Sequence, residues 1–420
     1  MALIGPDASL LHLGRSRQDI LSVSFLAALR DEVLNAIHEL LQLRSAMLKS
    51  AARYKDVIIP AYTHGVQAQP TRYSHYLLAF ISALGRSHHR LVQTFQRINK
   101  CPLGAGALTT SRFTLDRELL SKLLGFNSPI INSLDANQVF PIDAELEFAS
   151  VIASISVQIC QLVQDIYSAY SHARSWYFIP QGPLMAISSM MPQKRNPLVL
   201  GRIRQLGSRV IGSAQTVLLM AHNVPSGHSD VRTSIGYLGT QDFQLCLSLM
   251  TQVFNSLEVR ADEALMEVNR EYSTMTEVAD ALYTFARVPF RIGHSFASRL
   301  TDYGRTHKLS PSQISYNVAV DIYRTVTSGE ELPLTETQLA QCLDATLFVE
   351  SRAGQGGPQM NEVNSMLLQQ ERELEEGTKE YDKLQQSQEH SQIYLSKEFD
   401  TLLKYNDKLS FGGGKDGSLS

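Results

Sequence analysis

Apolar residues recur along this chain with a helical period, over stretches longer than an ordinary globular helix. After Ser16-Arg17-Gln18-Asp19, the positions Leu21, Phe25, Leu26, Leu29, Val33, Ile37, Leu40 and Leu41 fall in step to about residue 53. A second stretch, about 72–98, keeps Leu77, Leu78, Ile81, Leu84, Leu91, Phe95 and Ile98 in step. Residues 142–174 are apolar nearly all round, and a helix without a wet face must be enclosed by others. The pattern resumes over 198–222 and 237–268, so it predicts an all-α fold on a central bundle of five helices of roughly 25 to 35 residues.

Near residue 270 the character changes. Shorter helical patterns (276–287, 292–304, 311–328, 336–346) are punctuated by Pro289, Pro311 and Pro333, which predicts a smaller helical domain. Beyond Gly354-Gln355-Gly356-Gly357-Pro358 the chain turns Gln/Glu/Lys-rich with sparse apolar positions, a solvated or partner-packing helix. The last ten residues, FGGGKDGSLS, are expected to be disordered. The expected organisation is a leading remnant at 1–15, a central bundle at 16–269, a small helical domain at 270–358, and a charged helical extension with its tail at 359–420.

Composition narrows the function classes. Hydrophobic content of 44% and charged content of 19% fit a globular protein with a sizeable core. A net charge of −3 demotes nucleic-acid and membrane-surface binding, which leave a basic footprint. Cys101, Cys160, Cys246 and Cys342 lie far apart, without metal-ligand or disulfide-framework spacing, so a reduced, cytoplasmic setting is the default. No run of 18 apolar residues and no leader pattern is found, so no membrane span is expected.

The polar chemistry collects in the breaks between helices. Ser188-Ser189-Met190-Met191-Pro192-Gln193-Lys194-Arg195-Asn196-Pro197 puts two hydroxyls, two cations and an amide between two prolines and two core helices. That content suits a loop that grips a small anion, the alternative being a solvated connector. Residues 60–70 (PAYTHGVQAQP) read as a Pro-bounded polar loop carrying Thr63 and His64, and a lone loop histidine is more often structural than catalytic. Ser16 or Asp19 reads as a helix N-cap, at a helix end whose free N–H groups also suit an anion. Gly104-Ala-Gly106 has too few glycines for a phosphate loop and reads as close backbone packing.

Five segments in order, GRSRQD (14–19), PAYTHGVQAQP (60–70), PLGAGAL (102–108), FTLDRELLSKLLGF (113–126) and SSMMPQKRNP (188–197), resemble the argininosuccinate lyase branch of the fumarase/aspartase superfamily across roughly residues 4–350. The resemblance implies a long helical bundle, a homotetramer whose active sites are shared between subunits, no cofactor or metal, and β-elimination on a small dicarboxylate that releases fumarate. It assigns Ser188 as the base and His64 to orient or protonate the leaving side. Lys194 and Asn196 would hold the carboxylate on which charge develops, with the backbone around Ser189. Ser16, Arg17, Gln18 and Thr63 would position the substrate. Four departures stand out. Gln18 replaces the family's Asn, and Gly201 falls where the family carries the Glu partner of the histidine. His228, Thr233 and Gly236 fall where Tyr, Gln and Lys hold the substrate, which leaves His228 as the binding candidate there. The leading domain is expected to be truncated. The alternative is a catalytically inactive structural homologue.

Overall fold

The computed structural model describes residues 10–171, 175–180, 182–227 and 237–411, with side chains to residue 404. His228, Thr233, Gly236, the 1–9 segment and most of the last ten residues lie outside the described residues.

The first long helix, α1 (Arg17–Arg53), starts with a capping box. Ser16 Oγ accepts the N–H of Gln18 at 3.2 Å, and Asp19 Oδ1 accepts the N–H of Ser16 at 2.8 Å. The chain then forms a hairpin of β1 (Ile58–Thr63) and β2 (Val66–Arg72), followed by α2 (Tyr73–Ile98). Two short helices, α3 (Arg117–Leu123) and α4 (Ser133–Gln138), fill the connection to α5 (Phe140–Tyr170). α6 (Leu198–Ala221) and α7 (Thr240–Ser256) complete the bundle. Leu29, Val33, Ile37 and Leu40 of α1, Phe148 and Ile152 of α5, Leu206 and Val210 of α6, and Leu247 and Met250 of α7 share one core. Burial of such side chains at roughly 1.5–3 kcal/mol each is what holds the long helices together.

The directions of the helices follow from specific contacts. Tyr76 meets Asp165 and Arg97 meets Glu147, so α2 and α5 are antiparallel. Cys160 packs against Arg204 and Gly207 while Ser156 lies opposite Gly207, so α5 and α6 are antiparallel as well. Gly207 permits this approach, since a Cβ there would stand 2.5 Å from Cys160 Sγ. By length and composition α5 would also cross a bilayer, but half of its most apolar window is buried in the bundle.

The C-terminal part continues with α8 (Ala261–Arg270), α9 (Met275–Ala286), α10 (Phe290–Thr306), α11 (Tyr316–Thr327), α12 (Glu336–Leu343) and α13 (Ala345–Glu350). Val278 and Leu282, Phe296 and Leu300, Tyr323 and Leu339 form a core separate from that of the bundle. The last helix, α14 (Met360–Phe411), turns back along the bundle antiparallel to α1. Arg44 reaches Gln370 at 3.3 Å and Glu373 at 3.7 Å, and His38 meets Tyr381 with ring centroids 5.4 Å apart.

Four expectations need correction. The helix expected over 237–268 is broken: Glu258–Val259 pairs as a short strand with Tyr177–Phe178, and Arg260 donates its N–H to Trp176 O at 2.9 Å. Residues 60–70 are strand rather than loop, with Pro60 opposite Pro70, where the missing N–H groups cost least on a two-stranded edge. The segment 311–328 divides into a 3₁₀ turn, Pro311–Gln313, and α11. Leu21, in step with the core positions, is nonetheless 49% exposed.

Candidate active site

Ser188 follows a two-residue strand, Ala186–Ile187, that pairs antiparallel with Arg195–Asn196 and clips the 188–197 loop at its base. Within the loop Ser188 Oγ accepts two backbone N–H groups, from Met191 at 3.0 Å and Met190 at 3.4 Å. Two donors on one hydroxyl oxygen favour its deprotonated form and leave its proton free to depart. Lys194 N donates to Met191 O at 3.0 Å, and Arg195 Nη1 donates to Pro192 O at 2.6 Å and Lys194 O at 3.2 Å. Arg195 is therefore committed to bracing the loop. The Lys194 side chain is exposed and forms no hydrogen bond or ion pair among the described residues. Ser189 is exposed, whereas Ser188 and Asn196 are half-buried, Asn196 being held in the ladder opposite Ala186.

Thr63 and His64 sit at the tip of the 58–72 hairpin. His64 has φ 53° and Gly65 φ 76°, the two left-handed residues of a tight hairpin turn, so both candidate side chains are exposed. The neighbouring phenol of Tyr62 is pushed up to about 12 by burial and by Glu267, and stays neutral. The hairpin is anchored close to its tip, where Gln67, opposite Tyr62, donates through Nε2 to Val268 O at 2.9 Å and Ser273 Oγ at 3.0 Å.

Ser16, Arg17 and Gln18 lie at the start of α1. The buried Asp19 beside them also accepts, through Oδ2, the N–H groups of Gly104 and Gly106, each at 3.0 Å. This is the close backbone packing read from Gly104-Ala-Gly106, with a carboxylate rather than a phosphate as the anion. Asp19 itself was visible in the sequence only as a capping residue; its tie to a loop more than 80 positions away carried no local signal.

The Ser16–Gln18 region does not meet the Thr63–His64 hairpin within one chain. The hairpin follows the end of α1, so Thr63–His64 lie a helix length from Ser16, about 55 Å for 37 residues at 1.5 Å each. The Ser188 loop opens α6, at the end of the bundle where α5 finishes, which is the hairpin's end. No hydrogen bond among the described residues joins Thr63 or His64 to the loop. Gly201 lies exposed in the first turn of α6, and a Cβ at that position would meet nothing within 4 Å, so no carboxylate stands there. No His/Cys/Asp/Glu group suited to a metal exists among the described residues. Burial pushes the Cys246 thiol up to about 12 and the Cys342 thiol up to about 11, so neither supplies a thiolate nucleophile.

Residues 6–212 match the family described as Lyase. An argininosuccinate lyase 2 of Agrobacterium fabrum is 31% identical over 362 residues, covering 85% of this chain and 71% of the relative. An argininosuccinate lyase of Alteromonas mediterranea is 33% identical over 300 residues, covering 71% of this chain and 64% of the relative. The crystal structure of EDDS lyase in complex with formate superposes with a TM-score of 0.91 at 24% identity, covering 96% of this chain and 81% of that one. The fold is thus that of the helical fumarase/aspartase superfamily of lyases. The chain belongs to the argininosuccinate lyase family, a family of carbon–nitrogen lyases.

Proposed function

We propose that the chain catalyses β-elimination from argininosuccinate or a related N-substituted aspartate, releasing fumarate and a guanidine or amine. The observation that carries this reading is Ser188 Oγ receiving the N–H groups of Met190 and Met191 in a loop that also presents the exposed Lys194 ammonium. A proton next to a carboxylate is weakly acidic, so its removal needs a strong base and a countercharge for the dianion that forms. Ser188, held by two donors, is the base; Lys194 and Asn196 receive the carboxylate on which charge grows, an electrostatic role worth roughly 3 kcal/mol per donor. His64 serves the departing nitrogen, and Ser16, Arg17, Gln18, Thr63 and Ser189 orient the substrate.

The separation of Ser16 from His64 supports a site assembled from different copies, in keeping with a homotetramer with shared sites. Val157 on α5, Leu218 and Leu219 on α6 and Leu245 on α7 are 42–74% exposed, apolar area that further copies would cover. The four free cysteines suit a reducing cytoplasm.

The test follows fumarate by its ultraviolet absorbance, supplying argininosuccinate in one direction and fumarate with a panel of amines and guanidines in the other. Turnover with one partner supports the reading and names the leaving group. Silence from an intact tetramer overturns it in favour of an inactive structural homologue.

A further inference from the structure

A cleft of about 770 Å³ opens between α9, the first residue of α10, the start of α2 and the loop 351–358. Its volume is that of a small-molecule site. Its rim is aromatic: Tyr283, Phe285 and Phe290 are 50%, 63% and 54% exposed, although the core beneath them takes Leu282 completely. Three large rings within eight residues, left in water beside an available core, form an apolar patch that awaits a partner.

The wall of the cleft carries two carboxylates and one guanidinium. Glu277 is paired with Arg352. Asp280 stands 3.6 Å from Arg352 Nη1 and accepts no hydrogen bond among the described residues. One negative charge is thus left over, on a carboxylate with free acceptor capacity beside aromatic faces. Tyr283 already receives a guanidinium of its own chain, Arg287, 5.4 Å from the ring centroid. A carboxylate flanked by aromatic faces attracts organic cations and repels dicarboxylates.

We propose that this cleft binds a small organic cation, a guanidinium or primary ammonium, with Asp280 as its counter-ion and Phe285 and Phe290 as its apolar walls. The cation preference is opposite to that of the Ser188 loop. The floor of the cleft connects to the hairpin that carries His64. Gly356 O can only accept, so His75 donates to it from Nε2 at 3.0 Å, and Nδ1 accepts from Thr71 Oγ1 at 2.9 Å. Arg72 Nε donates to Pro358 O at 3.0 Å. A ligand that orders 354–358 therefore bears on β2 through His75 and Arg72.

The experiment titrates the full-length protein calorimetrically with agmatine, a guanidinium-amine without a carboxylate, and with succinate as the anionic control. Hydrogen exchange of the 351–358 peptide is followed in parallel. Agmatine is expected to bind and to slow exchange at 351–358. Asp280→Asn is expected to weaken that binding about tenfold, equivalent to about 1.4 kcal/mol, with basal turnover retained. Phe285→Ala, at an exposed ring, should weaken it several-fold. Lys194→Ala, which disables the candidate active site, should leave agmatine binding unchanged, so occupancy of the two sites is distinguishable. Equal binding by the wild type and Asp280→Asn, no heat with agmatine, unaltered exchange at 351–358, or tighter binding of succinate there would each overturn the proposal.

Discussion

The Oδ2 atom of Asp19 accepts the backbone N–H of Gly106 at 3.0 Å, and no part of Asp19 is exposed to solvent. Through this contact the N-terminus of α1 and the 102–108 loop are fixed to one carboxylate, which also accepts from Gly104 and from Ser16.

Replacing Asp19 by Ala strands three backbone donors, two of them in a buried loop, and the cost should be about 3 kcal/mol or more. Asp19→Asn keeps the shape but turns an N–H group toward other N–H groups. Both variants are expected to lower the thermal midpoint, Ala more than a conservative change elsewhere on α1, and to raise KM through displacement of Ser16 and Arg17. An unchanged midpoint in Asp19→Ala would show that the loop is held by other means.

Ser188→Ala removes the candidate base while leaving the ladder of Ala186–Ile187 with Arg195–Asn196 in place. Turnover should fall by about a thousandfold or more, as when a nucleophile or base is deleted elsewhere, with the oligomeric state unaltered by size-exclusion chromatography with light scattering. Near-parental turnover would reassign the base.

His88 supplies a pH signature outside the site. It is buried under α14, where Gly377 leaves room for the ring, and neither ring nitrogen has a hydrogen-bond partner among the described residues. Burial lowers its pKa to about 4, with Arg44 and His89 adding to the effect. The unfolded chain binds a proton at His88 below about pH 6.5 that the folded chain refuses until about pH 4. Stability therefore falls with decreasing pH across this window, by up to about 1.4 kcal/mol per unit. Thermal midpoints measured at pH 7 and pH 5 should differ less in His88→Leu than in the wild type; equal differences would remove His88 as the cause.

Gly201 is exposed in the first turn of α6 and has open space around it. Gly201→Glu should be tolerated and should stabilise the protein by about 1 kcal/mol, by helix propensity and by a favourable charge at a helix N-terminus. If the introduced carboxylate of one copy reaches His64 of another, the pH profile of turnover shifts; a stabilised protein with the parental profile would show that the two do not couple.

The long helices were legible because α1, α2 and α5 bury apolar positions at strict helical spacing, a signal repeated over many turns. The breaks were less legible. Leu257 and Val259 are buried between the polar Ser256, Glu258 and Arg260, a stretch too short to mark a strand by itself, and the distant Tyr177–Phe178 partner makes Glu258–Val259 one. The hairpin at 58–72 was hidden by Pro60 and Pro70, which argue against strand until they are seen facing one another. Of the candidate site, the residue types were readable in the breaks between helices. The two N–H groups on Ser188, the brace from Arg195 and the buried tie from Asp19 depend on backbone geometry that leaves no mark in composition.

α1 acts as a rigid spacer, with Ser16 before its first turn and Thr63–His64 beyond its last. If the proposed site draws on both ends of this spacer from different copies, a subunit freed by dilution is a reagent with two unfinished ends. Its chemistry is then a property of the association equilibrium rather than of the folded monomer, and specific activity becomes a function of protein concentration.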